Sequence, residues 1–111
     1  MAGLAVEVER AGSTAVVRLD GDLDKLSSPL LRERLTELIG DGCDIVVIDA
    51  GELGFCDSSG LWVLLEAQRA LGRQGGSLRL AHVHGVLRRV LDVTGLSAAF
   101  PPDVDPGTAS G

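Results

Sequence analysis

An aspartate, two serines and a glycine in a row, Asp57-Ser58-Ser59-Gly60, form the segment best suited to exposed polar chemistry. These residue types gather where helices begin, because a carboxylate or hydroxyl at the N-cap can accept hydrogen bonds from the first-turn N–H groups. On that register Asp57 is the N-cap and Ser58, Ser59 and Gly60 fill the first turn. Cys56 and Leu61 then stand at the two positions that form a hydrophobic staple. The Ser58 hydroxyl lies near solvent and near free backbone N–H groups, where the helix dipole favours an anion such as a phosphate. A purely structural helix start would use the same residues, and spacing alone does not separate the two readings.

A second acidic group, Asp20-Gly21-Asp22-Leu23-Asp24, follows the apolar run Val16-Val17-Arg18-Leu19. It resembles the Asp-x-Asp motif of haloacid-dehalogenase phosphatases, in which one carboxylate attacks phosphorus while Mg²⁺ screens the charge. The chain is short for that chemistry and has no convincing later lysine and acidic metal motif, so an Asp-rich turn is the competing reading. His82 and His84 flank Val83 at a strand end, without the further ligands or orienting group that a metal site or a Ser-His pair needs. Cys43 and Cys56 have neither disulfide nor zinc spacing and read as two reduced thiols. Arg88-Arg89 reads as a solvated helix face. Trp62 is four residues after Ser58, on the same side of the helix and offset from Leu61, Leu64 and Leu65. It either folds over a neighbouring element or stands as an interface anchor.

The elements that must position these residues follow from periodicity. Leu4, Val6 and Val8 alternate with Ala5, Glu7 and Glu9, as in a half-buried strand, and a second strand follows over 14–20. The turn between them contains Gly12, so the pair should be an antiparallel hairpin. Ser28-Pro29 predicts an N-cap with proline at the first helical position. Leu31, Leu35, Leu38 and Ile39 give that helix one apolar face, ended by Gly40 and Gly42. Ile45-Val46-Val47-Ile48 should be a central strand covered on both faces, followed by a loop over 51–56. A second helix is expected over 58–73, a strand over 77–83, and a third helix closed by Gly95. The order ββαβαβα implies an α/β fold with a mixed sheet: an antiparallel N-terminal hairpin, then parallel strands, packed with helices. Residues 1–100 should form one domain, and 101–111 a frayed tail.

Composition narrows the partners. The chain has 111 residues, 45% of them hydrophobic, and a formal net charge of −6. That is enough apolar material for one core. The acidic balance argues against nucleic-acid binding, which needs clustered Lys and Arg. The longest apolar run is too short to span a bilayer, and no signal sequence opens the chain, so a cytoplasmic protein is expected.

Three segments together resemble the STAS family, and within it the bacterial anti-sigma-factor antagonists: Gly21-Asp22-Leu23-Asp24, Leu53-Gly54-Phe55-Cys56-Asp57-Ser58-Ser59-Gly60-Leu61, and Val90-Leu91-Asp92-Val93-Thr94-Gly95-Leu96. The Asp-Ser-Ser-Gly segment is the specific part. The resemblance implies an anti-sigma factor with serine-kinase activity as partner, phosphorylation of Ser58 by it, and a serine phosphatase that resets the switch. It places Asp22 and Asp24 in the loop next to the phosphorylation site. The implied partner surface is Asp22, Asp24, Asp57, Ser58, Ser59, Gly60 and Trp62, with no catalytic residue, no cofactor and no metal. The bulky Trp62 departs from the small residue common in the family. A monomer or weak dimer is expected, and a non-switching STAS scaffold or transporter-accessory subunit is the alternative.

Overall fold

The computed structural model describes residues 3–100; the tail expected over 101–111 lies outside the described residues. Two strands come first, β1 (Leu4–Ala11) and β2 (Thr14–Leu23). They are followed by α1 (Ser28–Gly40), β3 (Ile45–Cys56), α2 (Ser58–Arg73), β4 (Ser77–Ala81) and α3 (Gly85–Thr94). A short 3₁₀ turn, Leu96–Ala99, follows α3. The four strands form one sheet in the order β1-β2-β3-β4. β1 and β2 pair antiparallel as the expected hairpin, and β2–β3 and β3–β4 pair parallel.

Alternation along β2 and β3 sends Val17, Leu19, Val46 and Ile48 into the core, where Leu78 of β4 joins them. Leu31, Leu35 and Leu38 of α1, Leu61, Leu64 and Leu71 of α2, and Leu87 and Leu91 of α3 belong to the same cluster. The other sheet face differs from expectation. Ile45 and Val47 are only half-buried, and Arg18 crosses that face to Asp49 at 3.5 Å and Glu7 at 3.7 Å. The central strand is therefore fully covered on one side only.

Two boundaries move. The loop expected over 51–56 is instead the second half of β3, and β2 runs on to Leu23 beside it. Gly21 pairs with Leu53, Asp22 with Phe55, and Leu23 with Cys56, with register shifts on either side of Asp20 and Gly21. Gly21 has φ of +113°, and a Cβ there would run into the Gly3 carbonyl oxygen, so this irregular stretch needs glycine. The last strand ends at Ala81 rather than residue 83. His82 follows with φ of +57° and turns the chain away. α1 begins one residue earlier than expected, with Ser27 rather than Ser28 as N-cap. Gly95 ends α3 in the left-handed conformation, as its position predicts.

Candidate functional site

The extension of β2 and β3 brings the ends of both strands to one place. The Asp57 N–H donates to the Leu23 carbonyl at 3.1 Å, which ties the start of α2 to the end of β2. Asp57 is the N-cap: its Oδ1 accepts from the Ser59 N–H at 2.9 Å and the Gly60 N–H at 3.3 Å. Leu61 and Cys56 are both buried, consistent with the staple positions. Gly60 is buried as well. A Cβ there would collide with Leu23 Cγ and lie 2.7 Å from Leu23 Cδ2 and 3.2 Å from Cys56 Sγ. Glycine is what lets the first turn of α2 press onto β2 and β3, so Gly60 acts on the site through position.

With Gly60 inward, Ser58 points out and is exposed, and Ser59 and Asp57 are half-buried. Two of the first-turn N–H groups expected to be free are already held by Asp57. An anion on Ser58 would therefore project to solvent beside a carboxylate rather than nest among unoccupied donors.

Asp24 is built into the turn before α1. Its Oδ1 accepts from the Leu26 N–H at 2.9 Å and the Ser27 N–H at 3.0 Å. The Ser27 hydroxyl donates to the Asp22 carbonyl at 2.7 Å and accepts from the Asp24 N–H at 2.9 Å. These bonds explain why Ser27, rather than Ser28, opens α1. Asp22 pairs with Phe55 at the end of β2 and is half-buried, in the strand rather than in a loop. Through Leu23, which lies between them and packs on Gly60, Asp22 and Asp24 are held at the same end of the sheet as Ser58.

Trp62 is 54% exposed, so it does not fold fully over a neighbour. Leu26 at 89%, Phe55 at 42% and Leu30 at 39% are also exposed, all close in sequence to the β2 and β3 ends or the first turn of α1. Sequence periodicity did not mark these three as surface residues. Leu26 carried a faint signal, since it precedes the helical repeat and has no place in it.

Cys56, Cys43 and His84 are taken up by burial and hydrogen bonding. Burial, with Asp57 adding to it, pushes the Cys56 thiol up to about 11 from 9.0, so it is protonated at neutral pH and a poor nucleophile. Cys43 is a buried free thiol. His84 Nε2 lies 3.1 Å from the Ala50 carbonyl and 3.0 Å from that of Gly51, so it donates its N–H to the edge of β3 where β4 has ended. Asp20 is exposed. Among the described residues no three His, Cys, Asp or Glu side chains gather into a metal-binding group.

A four-stranded mixed sheet, antiparallel then parallel, with an exposed serine after an aspartate cap matches one family by sequence. Residues 6–101 match the family model described as "Mlab, STAS domain", and the chain belongs to the STAS domain family. It is 33% identical to the anti-sigma F factor antagonist of Paenibacillus polymyxa over 99 residues, 88% of this chain and 85% of that one. Among solved structures it resembles an anti-sigma factor antagonist from Mycobacterium paratuberculosis, with TM-score 0.82 and 26% identity over 96% of this chain and 92% of that one. The antagonist SpoIIAA in its unphosphorylated form gives TM-score 0.79 at 25% identity over 95% and 93% of the two chains. SpoIIAA of Bacillus in the phosphorylated form gives 0.74 at 25% identity over 96% and 97%.

Proposed function

We propose that this chain is an anti-sigma factor antagonist that binds an anti-sigma factor while Ser58 is unmodified and releases it when Ser58 is phosphorylated. The observation that carries the reading is Ser58 itself: an exposed hydroxyl at the first position of α2, beside the Asp57 cap. Relatives named as anti-sigma factor antagonists, one of them described in both unphosphorylated and phosphorylated forms, support it.

The release follows from electrostatics. A phosphoserine adds about −1.5 to −2 charges at neutral pH. It would sit next to Asp57, with Asp24 at the neighbouring turn, on a chain of net charge −6. Desolvating that cluster against a partner is costly, and a loss of roughly 3 kcal/mol weakens binding about a hundredfold. The fold need not change, because Ser58 faces solvent. On this reading the partner is a serine kinase as well as an anti-sigma factor, a serine phosphatase resets the switch, and the protein works in the cytoplasm as a binding module.

Incubation with the kinase-type anti-sigma factor and ATP, followed by phosphosite mapping, tests the assignment. Phosphate on Ser58 and none on the Ser58→Ala variant is the expected result. Phosphate on another residue, or none, overturns it.

A further inference from the structure

The groove between α1 and α2 carries a charge opposite to that of the chain as a whole. Arg32, Arg69 and Arg73 line it against a single acidic side chain, Glu66, and buried Leu35 and Val63 form its floor. Its volume of about 390 Å³ is in the range of clefts that hold ligands or side chains of a partner. Arg32 is held by Glu66 at 3.3 Å. No carboxylate of the described residues lies within ion-pair distance of Arg69 or Arg73.

The groove continues the surface on which Ser58 stands. Ser58, Trp62, Glu66, Arg69 and Arg73 are all exposed and recur at helical spacing along α2. At 1.5 Å per residue this face is roughly 22 Å long. It passes from a hydroxyl beside aspartates, through an exposed indole, to two arginines with no carboxylate partner among the described residues.

We infer that this face of α2 is a two-point docking surface: the anti-sigma factor that meets the Ser58 end also seats an acidic segment in the arginine groove. The inference rests on the function proposed above and specifies the partner's chemistry: basic where it faces Asp24 and Asp57, acidic where it faces Arg69 and Arg73. Such a polarity sets orientation and discriminates among partners, because a reversed partner meets like charges at both ends. Arg69 is roughly 16 Å along the helix from Ser58, about two Debye lengths at physiological salt. Phosphorylation therefore breaks one contact and leaves the other, so the modified chain keeps a weak, salt-sensitive attachment.

The test is titration of the anti-sigma kinase with the intact chain, its R69E/R73E variant and the milder R69Q/R73Q variant, at low and high salt. Circular dichroism melts would establish that each variant is folded. Charge reversal should weaken binding about tenfold or more at low salt, with the gap closing at high salt and the Gln variant falling between. In the phosphotransfer assay KM should rise while kcat stays unchanged. Wild-type affinity and salt dependence in both variants would overturn the groove assignment while leaving the Ser58 reading intact. Failure of the unmodified wild-type chain to bind would overturn both.

Discussion

A phosphate on Ser58 would stand beside a carboxylate that already holds the Ser59 and Gly60 N–H groups. The local field is thus acidic before any modification, and on the proposed switch a phosphate would act on the partner rather than on the helix. Asp57 itself is a structural residue first: Asp57→Ala should cost about 1 kcal/mol as the cap is lost, read as a lower urea midpoint. Trp62 should behave in the opposite way. Its exposed indole contributes little to the core, so Trp62→Ala should leave the melting temperature nearly unchanged and weaken partner binding about tenfold or more. An unchanged affinity would remove Trp62 from the interface. Cys56 supplies a third contrast, for its thiol is raised to about 11 by burial and by Asp57. Because the folded state holds that proton more tightly than the unfolded chain, its contribution to stability is complete below pH 9 and fades as pH rises toward 11. Cys56→Ser should lessen that alkaline loss in urea titrations across this range.

The start of α2 depends on close approach. Gly60→Ala puts a methyl group onto Leu23 and Cys56, and a loss of about 1–3 kcal/mol is expected in chemical denaturation. Gln68 makes a comparable link further along: its Oε1 accepts from the Leu78 N–H at 2.6 Å and its Nε2 donates to the Ala99 carbonyl at 3.3 Å. The bounds of α2 were legible in the sequence because Asp57 and Gly75-Gly76 are local signals. The second half of β3 was not, since Gly51, Glu52 and Gly54 interrupt its alternation, and what makes it a strand is pairing with the end of β2. The same gap hid the exposed Phe55, whose position only the folded sheet defines. Resemblance alone marks Asp24 as a site residue. Its turn-building hydrogen bonds, invisible to periodicity, add a structural duty to that expectation.

For the whole molecule, charge is divided rather than uniform. The net charge is −6, yet one groove holds three arginines against one glutamate. No helix of the described residues is long and apolar enough to cross a membrane. The core uses almost only aliphatic side chains, with Phe100 its one buried aromatic among the described residues, and leaves Trp62 and Phe55 outside. Large apolar groups at the surface beside Ser58 fit a protein that works by contact with another chain. The most direct measurement is the affinity of the proposed anti-sigma kinase for the unmodified chain, Ser58→Ala, Ser58→Asp and the chain phosphorylated in vitro. Near-equal binding is expected for the first two and about a hundredfold weaker binding for the phosphorylated form, with Ser58→Asp weakened in the same direction. Equal affinity across all four would contradict a switch at Ser58.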